Sequence, residues 1–320
     1  MSRVIIVGDA NVDIIVHYPR FLDEGRTQVE WPSPKIVGGG TSSNTAAALA
    51  RLGMDTAFVG TVGDDAYGRF VRADLEGLGV DVSGLVIDST LNTVGVFAFI
   101  DKTGERYLWG WPREDQSFKV IDEDRVDFDA IRASDWVHSS GMSLTYDTSA
   151  RSTIATIYRE AHVAGVPTSL DLNLRVDDGV LDSDFANALD QIIGDVDYVL
   201  GSGPDEFAYL GHGGWMENAR ALAVTGKTVV VRGGANGSLA LVGDELIKAP
   251  AYRVEVEDTV GAGDVFNAGF ISALLSGNDI ATALAWGNGV SGYSVERKGA
   301  RSTPTEDELA KFMGAHEKNC

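Results

Sequence analysis

The 320-residue chain has one cysteine, Cys320, so it can form no internal disulfide, which fits a reducing compartment. Positive charge is scarce too. Against 47 Asp and Glu stand 26 Lys and Arg, a formal net charge of -21. A field of that sign repels nucleic acid and anionic lipid, so neither is an expected partner. No run approaches the ~20 apolar residues of a membrane span, and the opening apolar stretch is too short for a secretory signal, so a cytoplasmic location is expected. The five histidines are scattered without a metal-binding spacing. There is no Gly-x-Ser-x-Gly elbow and no Gly-x-Gly-x-x-Gly after the first apolar run, which argues against a hydrolase elbow and nicotinamide binding. Gly226-Lys227-Thr228 mimics the end of a P-loop, but Ala221 stands where the earlier glycine is needed.

What is present is a soluble-protein composition: 44% hydrophobic and 23% charged residues exclude disorder and coiled coil. Residues 3–7 read as a buried parallel strand ending at Gly8-Asp9. Residues 17–38 read as loop or edge strand. A helix is predicted over 42–52, opened by a serine cap and closed at Gly53, then a strand over 56–60 and a helix over 67–78. Residues 92–110 read as a β-hairpin turning at Asp101-Lys-Thr-Gly104. Beyond residue 135, strands at 136–138, 168–172, 198–201 and 228–232 alternate with helices near 149–164, 183–193, 204–210, 215–225, 264–276 and 279–293. That rhythm predicts an α/β fold, a mostly parallel sheet between helical layers. The segments 14–37 and 92–112 interrupt it and are expected to form a small β lid over the C-terminal strand ends, where open α/β sheets bind ligands.

The most informative stretch is Asp258-Thr-Val-Gly261-Ala262-Gly263-Asp264, followed by an apolar helix. Small residues let successive backbone N–H groups converge at a helix N-terminus, which favours an anion. Asp264 beside such a nest can take a proton from an attacking hydroxyl. From composition alone, the same residues also suit a Gly-rich turn with Asp264 as helix cap.

This stretch resembles the C-terminal signature of the ribokinase-like (PfkB) carbohydrate kinases, and the resemblance runs in order over essentially the whole chain. It implies one ribokinase-like α/β/α domain with a lid, and ATP-dependent phosphorylation of a sugar hydroxyl with Mg²⁺. Asp264 would be the base and Gly261, Ala262 and Gly263 the anion nest. Asn11 and Asp13, in Gly8-Asp-Ala-Asn-Val-Asp, resemble the first strand and sugar-binding aspartate of that family. Gly38-Gly39-Gly40-Thr-Ser-Ser-Asn44 resembles its first signature, with Ser42 in place of a smaller residue. The resemblance therefore implies Asn11, Asp13, Gly39, Gly40 and Asn44 as substrate ligands.

Asp171-Leu-Asn173-Leu-Arg175 is similar to an element of fructokinases and 2-keto-3-deoxygluconate kinases. Glu206 falls where the family organises Mg²⁺ through water, although Gly203 replaces the usual Asn. The resemblance implies nucleotide contacts from Asn173, Arg232, Gly234, Asn236, Gly237 and Asn288. It also implies a K⁺ site between Asp258–Val260 and a second loop carrying Ser294, Arg297, Gly299 and Thr303. Arg113, on the lid after Trp111-Pro, and Arg175 could meet the carboxylate of a sugar acid. Met142 stands near the position of a sugar-binding glutamate in ribokinases, which disfavours ribokinase itself. A nucleoside kinase of the same fold and a sugar-binding regulatory relative remain alternatives, and a homodimer through the lid edges is expected.

Overall fold

The computed structural model describes residues 3–18, 33–103, 106–111, 113–174, 176–177 and 179–319. The first strands are β1 (Arg3–Val7), β2 (Asn11–His17), β3 (Lys35–Gly39), β4 (Asp55–Gly63), β5 (Leu85–Asp88), β6 (Gly95–Ile100), β7 (Arg106–Gly110) and β8 (Trp136–Ser140). They are followed by β9 (Thr168–Asp171), β10 (Val176–Asp177), β11 (Val180–Leu181), β12 (Tyr198–Ser202), β13 (Thr228–Arg232), β14 (Ser238–Val242) and β15 (Glu245–Ala249). The helices are α1 (Thr41–Arg51), α2 (Ala66–Gly77), α3 (Phe128–Arg132), α4 (Ser149–Val163), α5 (Ser183–Ile192), α6 (Trp215–Ala223), α7 (Ala262–Leu275), α8 (Ile280–Val295) and α9 (Glu306–Ala315).

Nine strands form the central sheet in the order β15-β14-β13-β12-β9-β8-β1-β4-β5. All its pairings are parallel except β13–β14 and β14–β15. Helices cover both faces, which is why β1 reads as an unbroken apolar run. Its Ile5 and Val7 pack into the core beneath α4, α5 and α6. Its Val4 and Ile6 point the other way, into the core beneath α1, α2, α7 and α9. α7 is buried from Asp264 to Ala273 because it packs against both α1 and α8.

A second sheet, β3-β2-β6-β7, is the lid. β2 alternates buried and half-buried residues, as a strand with one face on the body should. The 14–37 segment expected in this lid carries β2 and β3 at its two ends, and 19–32 lies outside the described residues. Of the expected 92–112 segment, Gly104, Glu105 and Pro112 also lie outside them.

Two expectations need correction. The helix expected over 204–210 is a 3₁₀ turn at Phe207–Tyr209. The chain bends there because the carboxylate of Glu206 folds back to accept the N–H groups of Ser202 and Leu174. The cap expected from Ser42 comes instead from Asp9, whose carboxylate accepts the backbone N–H groups of Thr41 (2.9 Å) and Ser42 (3.1 Å). The hairpin β14–β15 and helix α9 were not anticipated, although Gly243-Asp244 between alternating residues carries a hairpin signal. Among the described residues no helix is long and apolar enough to cross a membrane.

Candidate active site

The C-terminal ends of β1, β8, β9, β12 and β13 open toward the N-termini of α1 and α7. Gly261, the residue before α7, has φ +75°, and a methyl group there would lie 2.6 Å from the Ala300 side chain. Only glycine makes that turn while the loop before α9 presses on it. Asp264 follows in the first turn of α7, buried, with Oδ2 accepting from Asn44 Nδ2 at 2.9 Å. Burial pushes its carboxyl well above the usual carboxylate range; Asp171 and Asp9 add to that, while the Asn44 hydrogen bond and Arg232 oppose it. A group so placed at a helix N-terminus can take a proton from a hydroxyl.

The Gly38-Gly39-Gly40 run makes three separate close approaches possible. A methyl on Gly38 would lie 2.3 Å from the guanidinium carbon of Arg301. One on Gly39 would lie 2.5 Å from Asp13 Oδ1, and one on Gly40 2.3 Å from Asn11 Oδ1. Asn11, Asp13, Asn44 and Asp264 are thereby gathered at one end of β2, α1 and α7. Asn11 Oδ1 is buried without a hydrogen-bond partner among the described residues, as an acceptor kept for a ligand donor would be. Burial pushes the Asp13 carboxyl up to about 6, with Arg301 opposing and Asp9 adding to the effect.

On the other side of Asp264, Arg232 ends β13 and Asp171 ends β9. They form a two-pronged ion pair, with Asn267 donating to the same carboxylate at 2.8 Å. Burial alone would raise Asp171, but Arg232 and Asn267 win and hold it below the ordinary range. Arg232 also donates to Asn267 Oδ1 at 2.8 Å and to Gly263 O at 3.3 Å, so it braces the nest below Asp264. Glu206 lies 3.4 Å from Arg232, and burial pushes its carboxyl up.

A cleft of about 850 Å³ opens beside this pair, lined by Gly203, Trp215, Arg232, Phe266 and Asn288 among others. Gly234, Asn236, Gly237, Ala262 and Gly263 also line it. Such a volume suits a nucleotide-sized ligand. Asn288 is a wall of the cleft whose amide is spent on the carbonyls of Ala249 (3.0 Å) and Pro250 (3.1 Å). Gly203 stands where the resembled signature has an asparagine, and a Cβ there would lie 3.2 Å from the Trp215 ring and from Val231, so a side chain would need these neighbours to shift by a few tenths of an ångström. Asn173 adopts φ +37° just beyond β9.

No group of three His, Cys, Asp or Glu gathers for a metal among the described residues. Both Glu206 oxygens already accept backbone N–H groups. Among the described residues there is thus no dedicated protein cage for Mg²⁺, and an ion in the cleft would take most of its oxygens from phosphate and water. The two loops implied for K⁺ are laced together: Asp258 accepts from the N–H groups of Val260 (2.8 Å) and Gly299 (3.0 Å). Ser294 and Thr303 are buried beside them. The guanidinium of Arg297 is occupied elsewhere, over the Tyr293 ring at 3.6 Å and donating to the Tyr293 carbonyl. A cation could meet only its backbone.

Arg113 does not reach into the gathered site as a free cation. It bonds Asp65 Oδ2 (2.7 Å), Thr93 O (2.8 Å) and Asn92 Oδ1 (2.6 Å), stapling the lid hairpin to the cap of α2. Arg175 lies outside the described residues. Asp171, Asn267 and the Arg301 side chain belong to this site without a role expected from the sequence. The first two had a signal: an acid closing an apolar strand, and a polar residue one turn beyond Asp264 in an otherwise apolar helix.

The family model for pfkB family carbohydrate kinases matches residues 1–308. An ATP-dependent ribose-1-phosphate kinase of Halopiger xanaduensis is 32% identical over 316 residues, covering 98% of each chain. A fructokinase of Vibrio alginolyticus is 31% identical, over 98% of this chain and all of its own. Among solved structures, a fructokinase double mutant from Vibrio cholerae with fructose, ADP and potassium bound superimposes with a TM-score of 0.83 at 27% identity, covering 98% of each chain. A fructokinase from Xylella fastidiosa with bound ATP gives 0.84 at 22% identity over 98% of each chain, a likeness of fold.

Proposed function

The chain belongs to the PfkB family of carbohydrate kinases, and we propose that it transfers the γ-phosphoryl group of ATP to a sugar hydroxyl with Asp264 as general base. The contact between Asn44 and Asp264 carries this reading, because it joins the gathered sugar-side residues to the helix terminus beside the nucleotide-sized cleft. In the proposed step Asp264 accepts the hydroxyl proton as the oxygen attacks the γ-phosphorus. The bond from that phosphorus to the β–γ bridging oxygen breaks, and ADP leaves. The N–H groups at the start of α7 offset charge on the transferring group. Asn11, Asp13, Gly39, Gly40 and Asn44 hold the sugar, and the lid excludes water. Asn173, Arg232, Gly234, Asn236, Gly237 and Asn288 border the nucleotide. Mg²⁺ would enter with the ATP phosphates, with Glu206 proposed to order its waters, and would neutralise phosphate charge. K⁺ would sit between the Asp258 and Ser294–Thr303 loops. We read the whole chain as one domain with an inserted lid.

For the substrate we propose a sugar or sugar acid, fructose-like or 2-keto-3-deoxygluconate-like. The acid form depends on Arg175, since Arg113 is bound to Asp65. A riboside or ribose phosphate is the second reading, favoured by the Halopiger enzyme named above. A coupled ADP-release screen over fructose, 2-keto-3-deoxygluconate, ribose 1-phosphate and aminoimidazole riboside decides between them. No ADP release above the sugar-free rate with any sugar or riboside would defeat the kinase reading.

A further inference from the structure

Arg301, in the loop between α8 and α9, reaches the sugar side of the site across most of the chain. Its Nε donates to Asn44 Oδ1 at 3.2 Å and its Nη2 to Ser43 Oγ at 2.8 Å, both on α1. Its Nη1 pairs with Asp74 on α2. The side chain is 12% exposed and passes over Gly38, the only residue type that leaves it room. A guanidinium has donors and no acceptor, so the oxygen end of the Asn44 amide must face it. The nitrogen end is then left pointing at Asp264.

We propose that Arg301 is a positioning residue: by fixing the Asn44 amide it keeps a hydrogen-bond donor on the base, and so ties the C-terminal loop to Asp264. This rests on Asp264 being the base. Without Arg301 the amide can turn its oxygen toward the carboxylate, where it repels the ionised form. Asp264 is also faced by Asp9 after β1, by Asp171 at the end of β9 and by Arg232 at the end of β13. Arg301 itself faces Asp74, Asp13 and Asp264. Losing its cation and losing the Asn44 donor therefore act in one direction, toward protonated Asp264 and an inactive base at low pH.

The test uses the full chain with MgATP and whichever sugar of the four named above has the highest kcat/KM. The pH profiles of kcat are compared for the wild type, Arg301→Gln, Arg301→Lys and Gly38→Ala, with Asp264→Asn alongside. Arg301→Gln is expected to move the acid limb of kcat upward by about one pH unit, which lowers kcat by up to roughly 10-fold on the acid side of the limb, with KM changing less. Arg301→Lys should restore part of both. Gly38→Ala keeps the charge and displaces the guanidinium, so it should reproduce the limb shift even where the Arg301 variants fail to fold. A folded Arg301→Gln or Gly38→Ala with the wild-type acid limb overturns the proposal. If Asp264→Asn turns over normally, the base assignment itself has failed. An inactive Asp264→Asn beside an unmoved limb removes Arg301 alone.

Discussion

Arg232 grips Asp171 with both terminal nitrogens, Nη2 to Oδ1 at 2.6 Å and Nη1 to Oδ2 at 3.1 Å, and the carboxylate side chain is only 4% exposed. Taking one partner from a buried pair strands the other charge, at a cost of roughly 3–5 kcal/mol. Asp171→Ala should lower the urea midpoint accordingly, softened by Glu206 nearby. Because the Asp171 carboxyl is held below its ordinary value, its contribution is complete above about pH 4 and fades as pH falls further. An unchanged midpoint at pH 7 would show that the pair adds nothing.

Asp264→Asn keeps the shape of the side chain and removes its basicity. The expected fall in kcat is ~10²–10⁴-fold, with ATP affinity, measured by calorimetry without sugar, little altered. Turnover within a few-fold of wild type would exclude Asp264 as base.

Asp13 carries a different signature. Burial lifts its carboxyl to about 6 in the fold, so ionising it at neutral pH opposes folding. Asp13→Asn should raise stability at pH 7.5 by on the order of 1–3 kcal/mol, a gain that shrinks as pH falls through 6 and vanishes below about 4. The same substitution should raise KM for the sugar, because the charged acceptor for its hydroxyls is gone. A variant that is less stable at pH 7.5, or that binds sugar normally, contradicts this account.

The loops joined by Asp258 predict a response to monovalent cations. At constant ionic strength, replacing a large organic cation with K⁺ should raise kcat by ordering the turn at Gly261. A flat response across K⁺, NH₄⁺ and tetramethylammonium removes the K⁺ site.

The outer strand of the lid exposes Tyr107, Leu108 and Trp109, by 57%, 58% and 44%. An apolar edge of this kind calls for a cover, and a second copy is the proposed one. Light scattering should give a dimer for the wild type and a monomer for Leu108→Asp; a monomeric wild type ends the proposal.

Several parts of this protein were legible without any structure because they depend on neighbours in sequence. The unbroken apolar strand at 3–7, the helix closed at Gly53 and the strand-helix rhythm after residue 135 are local patterns, and burial on both faces of a parallel sheet makes them visible. Gly261 through Asp264 was legible for the same reason, since a turn and a helix start need only adjacent small residues. The 3₁₀ turn at Phe207–Tyr209 was not, because a carboxylate folding back on a neighbouring strand has no periodicity.

Side-chain roles set by distant partners were decided by the tertiary structure alone. From sequence, Arg113 looked free to meet a substrate; Asp65, 48 positions away, occupies it. Arg301 looked like one residue of a backbone-lined loop, yet its partner Asn44 lies 257 positions away. The chain by itself determined the layered α/β frame and the residue types at its strand ends, through patterns a few residues long. Packing decided which of those charges face each other, because an ion pair between remote segments leaves no trace in the spacing of either one.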